Sequence, residues 1–149
     1  MKWLPVPSLL CALLIQLVAA SNAEAEVAPL NSNDIGEIKR VCRKFFGAPA
    51  KDMESVLRPL TAYFQSPNEL TKHNWVCSSQ HCSGRLELRD GSTIVYGFIS
   101  IPDPASDDPM DITPDRIRKG NNRINAVGLV KKGKVIFAIP ADSARFLVR

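Results

Sequence analysis

His73, Cys77, His81 and Cys82 fall within ten residues, and each is a ligand type that zinc or copper accepts. Two features argue against a metal centre. The spacing departs from the usual cysteine pair followed by a histidine pair. An exported chain would also meet an oxidising compartment, which favours joining the sulfurs. The expectation is a Cys77–Cys82 disulfide closing a short loop over Ser78, Ser79, Gln80 and His81, with no metal and no cofactor. A bridged sulfur is not a nucleophile, so the same bond removes a Cys–His catalytic pair. Cys42 is left either as a buried thiol on an apolar helix face or as a bridge partner for Cys77 or Cys82.

Little else in the chain is equipped for proton transfer. It holds two histidines and two tyrosines in 149 residues. It has no nucleophile elbow, no HExxH and no phosphate loop. Ser92, Ser100 and Ser143 stand in no context that marks a nucleophile. The expected protein is not an enzyme. At 45% hydrophobic and 23% charged, its composition is that of an ordinary globular domain and excludes a disordered or low-complexity chain.

Charge is divided unevenly. Asp103 to Asp115 carries five acids and no bases, whereas Arg116 to Arg149 carries nine bases and one acid. The acidic run contains Asp103, Asp107, Asp108 and Asp111 among three prolines, and it lacks the spacing of a calcium loop. A proline-stiffened acidic loop loses less entropy when it docks, and its charge would steer a basic partner. The basic C-terminal stretch is not interleaved with aromatic residues, and nucleic acid is not an expected partner. Candidate contact residues are therefore Trp75, Asp90 and the four loop acids; Trp75 reads equally well as core packing.

Residues 1–25 read as a signal peptide. Lys2 supplies the positive start, Leu9 to Val18 the apolar stretch, and Ser21-Asn22-Ala23 or Ala23-Glu24-Ala25 the small-x-small cleavage pattern. The apolar stretch is about ten residues and is broken by Gln16, about half of what a membrane span needs. Residues 26–149 are expected to form a single domain in the periplasm, with no membrane span.

The elements that must position these residues follow from periodicity. Ile35, Ile38, Cys42 and Phe45 predict a helix over Asp34–Phe46, with Asp34 and Glu37 as its capping box and Gly47 and Pro49 as its stop. Met53, Val56, Leu57, Leu60 and Phe64 predict a second helix over Lys51–Gln65, kinked or split at Pro59. Asn68 to Ser83 reads as a polar connection. Beyond it the period changes to two: Leu86 and Leu88, an Asp90-Gly91 turn, and a return strand over Thr93–Ile101. Pro102–Thr113 is a loop, and Thr113-Pro114-Asp115 opens a short helix ending at Gly120. Arg123–Val130 and Val135–Ile139 predict two further strands around a Lys131–Lys134 turn. The expected fold class is α+β, with two N-terminal helices packed on a small antiparallel sheet of about four strands.

Ser83-Gly84, beside a cysteine, resembles the start of the Ser-Gly-x-x-Tyr motif of periplasmic lysozyme inhibitors, whose serine loop enters a lysozyme cleft. The match covers two residues, and Glu87 stands at the motif's tyrosine. In layout the chain is similar to small exported immunity proteins of interbacterial toxin systems. These resemblances imply a non-catalytic domain that binds and inhibits another protein, most simply a basic cell-wall-degrading toxin or lysozyme-like enzyme. The alternative is a small periplasmic metal- or ligand-binding protein using His73, Cys77 and His81. A secreted enzyme of unrecognised type is a third reading.

Overall fold

An asparagine opens the first helix. The computed structural model describes residues 26–71, 74–78, 81–99 and 122–148, and within it α1 spans Ser32–Phe45. Asn31 Oδ1 accepts from Asn33 N at 2.8 Å and Asp34 N at 3.0 Å, while Asn31 N donates to Asp34 Oδ2 at 3.0 Å. This is a capping box set one turn earlier than the expected Asp34/Glu37 pair. The earlier register places Leu30 just before the cap and Ile35 four residues into the helix, and both pack against the core. That is the arrangement of a hydrophobic staple. Glu37, freed from capping, pairs instead with Arg40 at 2.6 Å. Ile38, Val41, Cys42 and Phe45 form the buried stripe.

Pro59 splits the second helical region as expected. A 3₁₀ turn over Ala50–Asp52 leads into α2, Met53–Leu57, and a further 3₁₀ stretch runs over Arg58–Tyr63. Met53, Leu57, Leu60 and Phe64 are buried. Proline cannot donate to the helical ladder, and the chain tightens at that point.

Five antiparallel strands follow in sequential order: β1 Asn74–Ser78, β2 His81–Glu87, β3 Thr93–Ile99, β4 Ile124–Lys131 and β5 Lys134–Ile139. The four expected strands are present. The additional one, β1, lies in the stretch read as a polar connection, and β2 begins at His81. Two-period burial is clearest in β2, where Cys82, Gly84 and Leu86 are buried and His81, Ser83, Arg85 and Glu87 are exposed. The β4–β5 turn has both central residues at positive φ, Lys132 at 48° and Gly133 at 73°, the geometry that suits a two-residue hairpin.

The helices cover one sheet face. Ile38, Phe45, Leu57 and Leu60 pack there with Leu86, Ile94, Tyr96, Phe98, Ile124, Val127 and Leu129 in one core. The Phe45 and Tyr96 rings meet edge to face at 5.3 Å. Tyr96 fits because its cross-strand neighbour is Gly84: a Cβ there would overlap the Tyr96 ring and hydroxyl. After α1 the chain pairs with the start of β4, through Gly47 N to the Ile124 carbonyl at 2.8 Å and Ala50 N to the Asn122 carbonyl at 2.7 Å. Among the described residues the opposite sheet face is covered by a C-terminal 3₁₀ turn over Ala141–Ser143 followed by α3, Ala144–Leu147.

Candidate functional site

Among the described residues the cover on the second face is partial, and beside it lies a hollow. Four strands contribute one cross-sheet row to that face, Val76–Ser83–Gly97–Ala126, each residue directly opposite the next. Directly opposed residues share a face. The middle of the row is therefore small, while Val76 bounds it on the β1 side and Pro140 and Phe146 on the other. The result is an open depression of about 690 Å³.

Two devices keep it open. Leu147 seats over Gly128, where a Cβ would overlap Leu147 Cδ1 and lie 2.6 Å from the Phe137 carbonyl oxygen. Leu147 and Val95 are both buried, yet they lie outside the main core. This holds α3 against β4 and β5 and stops it short of Gly97. The second device is a bulge. Gly97 pairs with Ala126 and Phe98 with Ile124, which leaves Asn125 unpaired on β4. Bulges re-aim side chains. Asn125 is exposed, with its Oδ1 3.5 Å from where a Gly97 Cβ would sit.

Apolar side chains ring the hollow in the open. Val76 is 69% and Phe146 57% exposed. The polar groups are Asn125, His81 and Asp142, together with Ser83 and Ser143. Ser143 is internally satisfied, donating to the Pro140 carbonyl at 2.6 Å. Among the described residues lining it, no hydrogen bond joins a nucleophile to a base. Among the described residues no three His, Cys, Asp or Glu side chains converge. Nor, among them, is any helix long and apolar enough to cross a membrane.

The residues singled out from sequence have separate fates. Cys82 is disulfide-bonded and Cys42 is a free buried thiol, so Cys42 is not a bridge partner. The backbone register sets Cys77 directly opposite Cys82. Trp75 lies in β1 opposite Gly84. The side chains of Trp75 and Cys77, together with His73, residues 1–25, Asp103, Asp107, Asp108, Asp111 and the short helix expected before Gly120, lie outside the described residues. Ser83 is on a strand facing the hollow, not on a protruding loop.

Asp90 is a correction. Its side chain is 1% exposed, which removes it from the contact surface. Asp90 Oδ2 accepts from Lys131 Nζ at 2.8 Å, Ser92 Oγ at 2.9 Å and Leu30 N at 3.4 Å, and Oδ1 accepts from Ser92 N at 3.0 Å. Burial opposes the charge, but these donors outweigh it and hold the carboxyl at about 2. Its work is to fasten the β2–β3 turn to the end of β4 and to the start of α1. The hollow, by contrast, was not among the sequence expectations. The one local signal for it was the small residues Ser83, Gly97 and Ala126 on strands otherwise rich in large ones.

No protein-family model, curated protein or solved structure was found to match this chain.

Proposed function

We propose that the chain is an exported, non-catalytic domain that binds and inhibits another protein, with a basic cell-wall-degrading enzyme or incoming toxin as the fitting target. The observation that carries this reading is the hollow on the second sheet face, bordered by exposed Val76 and Phe146. Exposed apolar residues grouped around a concavity are the mark of a binding surface, and aromatic anchors supply much of the energy at such surfaces. Export is supported by the three-part pattern of residues 1–25 and by the disulfide at Cys82. A Cys77–Cys82 bridge would pre-organise the β1–β2 hairpin beside the hollow. The acidic segment Asp103–Asp115 belongs to the same reading as the element that steers a basic enzyme.

The test is inhibition. The oxidised chain without residues 1–25 is titrated into muramidases, amidases and endopeptidases acting on peptidoglycan. The expected result is stoichiometric loss of turnover for one of them, weakened at least tenfold by Phe146→Ala with unchanged folding, as befits an anchor residue. Full turnover across the panel at molar excess would reject the inhibitor reading. A small-ligand reading is favoured by one observation, a hollow whose volume lies within the range of ligand pockets. Metal and small-molecule analysis of the purified protein tests it.

A further inference from the structure

We infer that the hollow on the second sheet face receives a single lysine or arginine side chain from the partner, its apolar stem lying over Gly97 and its charged head meeting Asp142. The inference rests on the reading of this face as a protein-binding surface.

Charge is the first argument. The chain carries a net +4, yet among the described residues neither lysine nor arginine lines the hollow, and Asp142 is its one acid. Asp142 makes no ion pair or hydrogen bond among the described residues. The nearest cation in sequence, Arg145, lies instead over the Phe146 ring, 4.6 Å from its centroid. An apolar slot with one unpaired carboxylate at its rim complements a long aliphatic stem ending in a cation. The bulged Asn125 offers a carbonyl acceptor beside the same slot.

Space is the second argument. Glycine weakens a strand interior, and it often marks a bulge or a place where something approaches the backbone closely. A Cβ on Gly97 would meet nothing closer than Asn125 Oδ1 at 3.5 Å, the Cys82 carbonyl at 3.7 Å and Ala126 Cβ at 3.9 Å. These are ordinary contacts. Packing among the described residues therefore does not require glycine there, while a stem lying on the floor of the hollow would use the space it leaves.

The experiment uses a capped Gly-Arg-Gly tripeptide and its citrulline isostere, which keeps the shape and removes the charge. Both are titrated into the isotopically labelled oxidised chain, and amide shifts are followed by NMR. The arginine peptide should shift Gly97, Ala126 and Phe146 saturably. The citrulline peptide should bind about two- to fivefold more weakly, the scale of an exposed ion pair. Asp142→Asn should bring the arginine peptide down to the citrulline level. Gly97→Val should abolish binding of both while leaving the remaining amide spectrum in place. Equal binding of the two peptides to the parent chain, or shifts confined to other faces, would overturn the inference. Failure of the broader reading is separable: arginine-selective shifts with no enzyme inhibited would reject the inhibitor and keep the pocket. Inhibition insensitive to Asp142→Asn and Gly97→Val would reject the pocket and keep the inhibitor.

Discussion

Replacing Asp90 by asparagine removes one charge from a fully used carboxylate and keeps its shape. The carboxyl is held at about 2 in the folded chain, against an ordinary value of 3.8. Each tenfold change in proton affinity corresponds to about 1.4 kcal/mol, so the ionised form contributes about 2 kcal/mol to folding at neutral pH. The sign follows from the folded value lying below the unfolded one. The contribution is complete above the unfolded value near 4 and is lost as pH falls through about 2, where roughly 0.4 kcal/mol remains. Urea unfolding of the parent and Asp90→Asn chains from pH 7 to pH 2 measures it. The variant should be less stable by about 2 kcal/mol at pH 7, and the gap should nearly close at pH 2. Lys131→Met should show part of the same loss, smaller because the Lys131 side chain is 30% exposed. A gap that stays constant down to pH 2, or no gap at pH 7, would refute the assignment of Asp90 as a charged internal fastener.

Two further outcomes follow from the core. Gly84→Ala should destabilise the chain by about 1–3 kcal/mol in urea or heat, because the new methyl meets the Tyr96 ring in a packed interior; a change within about 0.5 kcal/mol would show that Tyr96 does not pack there. The Cys42 thiol, buried and pushed up to about 12 by desolvation, should stay unmodified by a thiol reagent at pH 8 in the folded chain and react only on unfolding, and fast labelling of the native protein would contradict its burial.

The helices were legible because their signals are local. The apolar stripe of Ile38, Val41, Cys42 and Phe45 is a 3.6 repeat on one stretch of chain, and Pro59 breaks the next stretch for a reason intrinsic to proline. The capping residue was less legible. Asn31 and Asp34 are both good caps by type, and the choice between them depends on whether Leu30 and Ile35 reach the core, a tertiary matter. Strand β1 was missed for a similar reason. Asn74, Cys77 and Ser78 give no clean apolar alternation, and the strand exists because β2 offers it a ladder in register. Asp90 was misread because Asp-Gly at a hairpin turn suggests a solvent-facing tip, whereas Leu30 and Lys131, 60 and 41 residues away, close over this one.

The hollow had only a faint local signature, the small Ser83, Gly97 and Ala126, because its floor comes from three strands and takes shape only when the registers are known. Its strand glycines nevertheless separate by use. Gly84 makes room for Tyr96 on the helix-covered face, and Gly128 makes room for Leu147 on the other. At both positions a large apolar side chain fills the space that glycine leaves, and its burial offsets the roughly 0.5–1 kcal/mol that glycine costs a strand relative to alanine. Gly97 lies between them in the sheet with the same cost, yet nothing among the described residues fills the space over it. Its nearest neighbours, at 3.5 Å and beyond, would accept a methyl without moving. Two glycines of this sheet are thus explained by what packs on them inside the chain. On the proposed reading the third leaves room for a side chain of another molecule, and the exposed Val76, Phe146 and Asp142 around it would set the chemistry that molecule brings.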